Sequence, residues 1–339
     1  MKLKDLAEQL GLSQTTVSRA LNGYPEVNEA TRQRVLAAAR QFNYRPNASA
    51  RRLATGRAGA IGAVLQSNRS MLLDPHYAEF LAGLGERFAD DDIDIVLSPA
   101  RGDEIANYRR MASGTRVDAI ILSGPVVRDD RVRILSELGM PFVLHGRTTS
   151  DIPHAWLDID NEGAFQHAAS HLLGLGHTRI ALINGDTRFT YARDREKGYR
   201  AALAGRGIPA DPRWISSGAM TDEVGYRAAE RFLAGKPRPT ALLVSSMMMA
   251  LGAFRAIRAA GLELGRDISM IAHDDVFPFL NADRMVPTMS TTRSSIRAAG
   301  TRIAELAIEI LNGRSVAGVH EVWPVDLVIR ASTGPAPLR

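Results

Sequence analysis

Short runs rich in β-branched and other apolar residues recur between residues 60 and 339, and amphipathic stretches with helical periodicity separate them. This alternation is typical of parallel sheets whose faces are covered by helices. The stretch is too long for one sheet and one core, so we predict an α/β core of two doubly wound parallel-sheet lobes. The predicted strands are 61–65, 93–97, 119–122, 142–144, 180–184, 241–244 and 268–272.

The positive charge of the chain lies at its amino terminus. Residues 1–56 carry 9 Lys and Arg against 4 Asp and Glu, which leaves 33 of each from totals of 42 and 37 for the rest of the chain. A basic segment joined to a neutral core favours a nucleic-acid partner for that segment.

Three helical patterns occupy the first 43 residues, the third at about 29–43. Gly11 ends the first pattern, and Ser13 and Asn28 are placed to cap the next two. Gln14, Thr15, Ser18 and Arg19 share the polar face of the second pattern, as in a helix-turn-helix reader of DNA, although any small helical bundle has a solvated face. The residues predicted to face inward are Leu3, Leu6, Ala7, Leu10, Val17, Ala20, Leu21, Val35, Leu36, Ala39 and Phe42.

A short linker separates the two regions. Pro46 disfavours a helical residue before it, Asn47 can cap a helix that runs to about residue 54, and Gly56 ends it. A helix of about eight residues is shorter than the roughly 12–15 that an isolated helix needs, so this one needs a partner to fold. The alternative is a flexible tether. We therefore predict a head at 1–46, a hinge helix and linker at 47–59, and a core at 60–339.

Sequence motifs run through both regions. In the head they are LKDLA at 3–7, GLSQTTVSRALN at 11–22, VNEATR at 27–32 and FNYRPN at 42–47. In the core they are GLGHTRIA at 174–181, REKGY at 195–199, MALG at 249–252 and VIRAS at 328–332. On these motifs the chain resembles the lactose-repressor family of bacterial transcriptional regulators along essentially its whole length, including the rhizobial α-glucoside-repressor type.

The resemblance implies a regulator, most simply a repressor, that binds a pseudo-palindromic operator in double-stranded DNA as a homodimer. Its core would be of the periplasmic-binding-protein-like type I, with one lobe at about 60–159 and 288–320 and the other at about 160–287 and 321–339. The positions that match base-reading residues of the family are Gln14, Thr15, Arg19, Leu53 and Ala54. Those that match its phosphate contacts are Ser13, Thr16, Ser18, Asn22, Asn28, Thr31, Tyr44 and Asn47.

Polar residues follow the predicted core strands, and ligands of open parallel sheets lie beyond the carboxyl ends of the strands. Together with aromatic residues they suit a sugar, whose hydroxyls need donors and acceptors and whose C–H faces prefer rings. Arg195 and Asp274 also match effector-binding positions of the family, although a structural ion pair between loops is the alternative. The full set of expected effector contacts is Asn68, Tyr77, Ser123, Arg147, Tyr191, Arg195, Ser246, Asp274 and Phe277.

Many family members carry Asn-Asp where this chain has Ser246 and Met247, within the run SSMMM at 245–249. A methionine that faced the ligand would provide an adaptable apolar wall. We therefore expect an oligosaccharide or glycoside, such as an α-glucoside, as the effector. Two alternatives stay open: a regulator with a non-sugar corepressor such as a nucleobase, and a sugar-modifying enzyme fused to a DNA-binding head.

Other kinds of chemistry find little support in the sequence. His167 and His171 have the i, i+4 spacing of zinc ligands, but no glutamate follows His167 and no third ligand is evident. The nucleophile elbow, the phosphate loop and the dinucleotide fingerprint are absent, so we expect neither catalysis nor a cofactor. The chain has no cysteine, no secretory signal and no run of 18 apolar residues, which favours a cytoplasmic protein with no membrane partner.

Overall fold

The computed structural model describes residues 2–21, 23–44, 56–65, 75–100, 103–113, 116–273 and 280–337. They belong to two compact units, Met1–Ala58 and Gly59–Arg339, which we call the head and the core. The described elements, in chain order, are α1 (Leu3–Leu10), α2 (Gln14–Leu21), α3 (Glu29–Gln41), β1 (Ala60–Leu65), α4 (Pro75–Ala89), β2 (Asp94–Pro99), α5 (Glu104–Ser113), β3 (Ala119–Ser123), α6 (Asp130–Glu137), β4 (Phe142–His145), β5 (Ala155–Ile159), α7 (Asn161–Gly174), β6 (Ile180–Gly185), α8 (Thr190–Ala204), β7 (Ile215–Gly218), α9 (Asp222–Ala234), β8 (Ala241–Val244), α10 (Met247–Ala259), β9 (Ser269–His273), β10 (Ser290–Arg293), α11 (Ile296–Leu311), β11 (His320–Trp323) and β12 (Asp326–Val328).

The head contains three helices, and the capping residues lie at the helix ends where the sequence predicts them. Gly11 ends α1 in the left-handed region at φ 63°. Ser13 Oγ accepts a hydrogen bond from the Thr16 amide at 3.0 Å at the start of α2. The small core that the three helices share contains Leu6, Ala7, Val17, Ala20, Val27, Val35, Ala38 and Ala39.

One predicted core residue of the head is misplaced. Phe42 is 38% exposed, because α3 ends at Gln41 and Phe42 no longer follows the helical repeat that would carry it inward. Tyr44 instead packs against the head core from outside the helices.

In the described part of the core, two six-stranded sheets are flanked by helices. Strands β11-β5-β4-β3-β1-β2 form the first sheet in that order, with every pairing parallel. Strands β12-β10-β9-β8-β6-β7 form the second, in which only β12 runs antiparallel to its neighbour β10. The predicted fold of two doubly wound α/β lobes is confirmed.

The predicted lobe boundaries need two corrections. Strand β10 was expected in the first lobe but pairs with β9 in the second sheet, so the chain crosses after Arg293 rather than before residue 288. Residues 321–323 were expected in the second lobe but belong to β11, which pairs with β5 in the first sheet. Both strands are four residues long, STTR and HEVW, and contain at most two apolar residues, so the sequence pattern did not mark them.

Glycines allow pairs of helices to approach closely on the outside of each lobe. A Cβ added to Gly198 of α8 would lie 2.0 Å from the carbonyl oxygen of Glu162 in α7. A Cβ added to Gly252 of α10 would lie 1.9 Å from a backbone oxygen of α9, and one added to Gly300 of α11 would lie 2.3 Å from a backbone oxygen of α4. The α7–α8 contact matters most for function, because it places Asn161 beside Arg195.

No helix in the part of the chain that the structure describes is long and apolar enough to cross a lipid bilayer.

Candidate functional site

The head presents a polar helix face of the kind that enters a major groove. Gln14, Thr15 and Arg19 are exposed on α2, whereas Val17 and Ala20 on the other side of the helix are buried. These three side chains combine amide, hydroxyl and guanidinium groups, which suit hydrogen bonding to base edges.

Four of the residues expected to contact phosphates, Ser13, Thr16, Asn28 and Thr31, lie at the amino-terminal ends of α2 and α3. Asn28 Oδ1 accepts a hydrogen bond from the Thr31 amide at 2.8 Å, and Ser13 and Thr16 form a second capping pair. Ser18 and Tyr44 are half-buried. Burial raises the pKa of the Tyr44 phenol. The remaining expected DNA contacts, Asn22, Asn47, Leu53 and Ala54, lie outside the described residues.

A cavity of about 220 Å³ lies between the two lobes of the core. It is lined by residues at the carboxyl ends of strands from both sheets, among them Ser123, His145 and Ile159 from the first and His273 from the second. The position is the one expected for ligands of open parallel sheets.

Arg195 is a tightly held cation in the wall of this cavity. It is 5% exposed. Its Nε donates to Asn161 Oδ1 at 2.8 Å and its Nη1 donates to the carbonyl oxygen of Ser245 at 2.8 Å. The guanidinium carbon also lies 5.0 Å from the centre of the Tyr191 ring and 5.2 Å from that of Phe165. These contacts hold the fork in one orientation before any ligand binds.

Aromatic and thioether side chains form much of the remaining wall. Tyr77 and Phe80 contribute from α4 of the first lobe, and Phe80 stacks on His145 with ring centres 4.6 Å apart. Met247 lines the cavity and is fully buried, whereas Met249 belongs only to the core of the second lobe. Met247 therefore contributes both to the cavity wall and to the core of the second lobe.

Two histidines in the cavity wall are held in the neutral form. Burial, with a smaller contribution from His76, lowers the pKa of His145 to about 3. Burial also lowers the pKa of His273 well below its usual value, and the charge of Arg195 acts in the same direction. His273 Nδ1 lies 2.8 Å from Thr292 Oγ1. At neutral pH both imidazoles therefore offer polar atoms without charge.

Arg147 lines the cavity, and its guanidinium also binds two carboxylates. Its Nε donates to Asp158 Oδ2 at 2.7 Å and its Nη2 donates to Asp194 Oδ2 at 3.0 Å. Burial raises the pKa of both the Asp158 and the Asp194 carboxyls, and Arg147 opposes that rise in each.

The cavity brings together six of the nine residues expected to contact an effector: Tyr77, Ser123, Arg147, Tyr191, Arg195 and Ser246. Ser246 has a structural task as well, because its Oγ accepts the Met249 amide at 3.2 Å and caps α10. Asn68, Asp274 and Phe277 lie outside the described residues.

Sequence reasoning missed several residues of the wall. Asp158 and Asn161 escaped because β5 was not recognised as a strand, so the residues at its end were not considered. His76 and Met220 lie on a helix start and in a loop, where no strand end points to them. Among the described residues, no group of three or more His, Cys, Asp or Glu could hold a metal ion.

Comparison with known proteins gives a consistent result. Residues 2–47 match the family described as bacterial regulatory proteins, lacI family, and residues 169–333 match the periplasmic binding protein-like domain. The HTH-type transcriptional regulator AglR of Rhizobium meliloti (strain 1021) is 50% identical over 343 aligned residues, which cover 100% of this chain and 96% of AglR.

Two solved structures are similar over nearly the whole chain. The lac repressor dimer bound to operator and the anti-inducer ONPF has a TM-score of 0.82 at 27% identity, covering 98% of this chain and 99% of that one. A complex of the transcriptional regulator CelR with cellobiose has a TM-score of 0.73 at 28% identity, with the same coverage of 98% and 99%. The relatives are transcriptional regulators rather than enzymes, and the chain belongs to the lacI family of bacterial regulatory proteins.

Proposed function

We propose that this regulator is a repressor that binds a pseudo-palindromic operator as a homodimer and responds to a small carbohydrate. The exposed face of α2 supports the DNA-binding part, with Gln14, Thr15 and Arg19 as the base-reading residues. One helix-turn-helix head reads only a half-site, so two heads are needed for a full operator. The lac repressor structure, which is similar in fold, is described as a dimer on its operator.

The character of the cavity carries the carbohydrate proposal. The guanidinium of Arg195, which Asn161 and the Ser245 carbonyl hold in one orientation, adds a planar polar group to the cavity wall. Tyr77, Phe80 and Tyr191 supply ring faces for the C–H surface of a sugar. His145 and His273 supply uncharged polar atoms. A neutral polyol with one apolar face fits these groups better than a charged metabolite does.

An oligosaccharide or glycoside is favoured over a monosaccharide. Met220, Met247 and Met248 all line the cavity. Thioether side chains adapt their shape to an apolar surface, which suits the aglycone or second ring of a larger ligand. The complex of the similar regulator CelR with cellobiose, a disaccharide, supports this preference. We propose an α-glucoside for this chain.

Isothermal titration calorimetry of the full-length protein tests the effector class. The panel is maltose, sucrose, trehalose and cellobiose, with adenine as the nucleobase probe. Heat with at least one α-glucoside is the expected result. Binding heat with adenine alone would indicate a nucleobase effector instead of a sugar. No heat with any saccharide would refute the carbohydrate proposal.

A matched pair of variants tests the role of Arg195. Arg195→Lys keeps the positive charge but removes the planar fork, so the saccharide identified above should bind at least about 10-fold more weakly. Arg200→Lys is the control, because Arg200 lies on the same helix and pairs with Glu196 on the surface. Equal saccharide affinities in the two variants would show that Arg195 does not contribute to saccharide binding.

The remaining effector assignments, including Asn68, Asp274 and Phe277, are part of the same proposal. Leu53 is proposed to insert into the minor groove at the centre of the operator, next to Ala54. A gel-shift titration with Leu53→Ala should show weaker operator binding, while calorimetry shows unchanged saccharide binding. Repeating the gel shift with and without the saccharide establishes whether it releases the repressor or strengthens its binding.

A further inference from the structure

A single arginine links carboxylates from both lobes of the core. Arg147 follows β4 and Asp158 lies on β5, both in the first lobe, and the Nε–Oδ2 distance is 2.7 Å. Asp194 lies on α8 in the second lobe, 3.0 Å from Nη2 of the same guanidinium. The Arg147–Asp194 hydrogen bond can form only when the lobes stand as close as they do here.

A backbone contact joins the lobes near the same point. The amide and the hydroxyl of Thr190, at the start of α8, both donate to the carbonyl oxygen of Pro125 in the first lobe, at 3.0 and 3.1 Å. Val126 and Phe189 form an isolated antiparallel bridge beside it. The first turns of α8 are thus attached to the first lobe at two places.

Asp158 is also connected to the proposed effector site through hydrogen bonds. Asp158 Oδ1 accepts a hydrogen bond from Asn161 Nδ2 at 3.2 Å, and Asn161 Oδ1 in turn accepts from Arg195 Nε at 2.8 Å. Asp158 therefore takes part both in the contact between the lobes and in orienting Arg195. Asp194 and Arg195 are also adjacent on α8.

The burial of these groups decides how much the contact can contribute. The side chains of Asp158, Arg147 and Asp194 are 8%, 33% and 23% exposed. Ion pairs on open surfaces contribute little because water and salt screen them. A partly buried pair is screened less, so it can bias an equilibrium between two arrangements of the lobes.

We propose that Asp158, Arg147 and Asp194 form a latch that holds the two lobes together. Asp158 and Arg147 line the cavity, whereas Asp194 is not among the described residues of its wall and acts on effector affinity only through the latch. If the effector binds the latched arrangement, its apparent dissociation constant rises as that arrangement becomes less populated. Asp194 is then a determinant of effector sensitivity outside the binding surface. The affinity part of this inference rests on the proposed function, whereas the lobe part does not.

The lobe part is tested on the full-length protein without any ligand. The chain has no cysteine, so spin labels can be placed at Ser136→Cys on α6 and Arg206→Cys after α8, both exposed and one in each lobe. Pulsed electron resonance between the labels measures the separation of the lobes. Asp194→Asn should lengthen or broaden the distance distribution, because the uncharged amide holds Arg147 less well.

The control for this measurement is Glu196→Gln. Glu196 pairs with Arg200 on the same helix at 2.7 Å, but both residues belong to the second lobe. Its distance distribution should match that of the labelled parent. If Asp194→Asn also matches the parent, the latch is refuted, whatever ligand the protein binds.

The affinity part is tested by calorimetry with trehalose and maltose as the probes. Asp194→Asn should bind the responding saccharide about 3- to 10-fold more weakly than Glu196→Gln does, while both fold normally. Unchanged affinity together with a longer lobe distance would overturn the claim that the latch sets effector affinity. Absence of binding to the parent would refute the carbohydrate proposal and leave the lobe result standing.

Discussion

Replacing Gly198 by alanine should damage the core through a single methyl group. The added Cβ would lie 2.0 Å from the Glu162 carbonyl oxygen and 2.9 Å from the Gln166 amide nitrogen, both in the backbone of α7. Real Cβ atoms essentially never approach another atom within 3.0 Å, so α7 and α8 must separate by at least 1 Å. A backbone oxygen cannot rotate away as a side chain does.

The cost can be estimated from what this separation disturbs. Overpacking a close contact costs about 1–3 kcal/mol. The hydrogen bond from Arg195 to Asn161 joins the same two helices and involves a charged donor, a class worth about 1.5–3 kcal/mol. We expect Gly198→Ala to lower the free energy of unfolding of the core by about 3–5 kcal/mol, and its midpoint temperature by roughly 6–10 °C.

Gly174→Ala is a matched control on the same helix pair. Gly174 is the last residue of α7, and no atom lies within 4 Å of a Cβ added there. Alanine restricts the unfolded chain more than glycine does, so this variant should gain up to about 0.5–1 kcal/mol. The two substitutions add the same atom to paired helices and should change stability in opposite directions.

Denaturation followed by tryptophan fluorescence measures both variants. The three tryptophans, Trp156, Trp214 and Trp323, all lie in the core, so the signal is independent of the head. If Gly198→Ala unfolds at the same denaturant concentration as the parent protein, α7 and α8 do not approach as closely as the structure indicates.

Three further predictions concern the cavity and the head. Since burial lowers the pKa of His145 to about 3 while the unfolded chain binds that proton near 6.5, stability should fall by up to about 1.4 kcal/mol per pH unit as the pH drops below 6.5. Denaturant titrations at several pH values should show that the free energy of unfolding falls less steeply with pH in His145→Gln than in the parent protein. The same substitution at the exposed His167 should leave the fall as steep as in the parent. Arg19→Ala should lose about 1–3 kcal/mol of preference at one base pair of each half-site in a binding assay with operator variants, and an equal loss on random DNA would show a phosphate contact instead. Asn28→Ala removes the cap of α3 and should destabilise the head by about 1 kcal/mol, seen as faster amide exchange in α3; unchanged exchange would mean that the Thr31 bond contributes nothing.

Local signals in the sequence were sufficient for elements that are buried or capped. All seven predicted strands exist within about two residues of their predicted bounds. Six of them are interior strands, which in parallel sheets are apolar on both faces, and the edge strand β2 still has an apolar run at 95–97. Ser13 and Asn28 were recognised as caps because their hydrogen bonds reach only three residues along the chain. Other short strands were missed for the opposite reason: the edge strand β7 reads ISSG and the interior strand β10 reads STTR, with no apolar run to mark them.

The sequence by itself thus determined the three-helix head, the class of the core and the gathering of polar residues at strand ends. The tertiary structure alone decided the partners of those residues. Arg147 lines the cavity, but the carboxylates that it binds lie 11 and 47 residues away, and Asn161 meets Arg195 across 34 residues. Such pairs depend on how strands and helices from distant segments pack, and no periodicity along the chain encodes that distance.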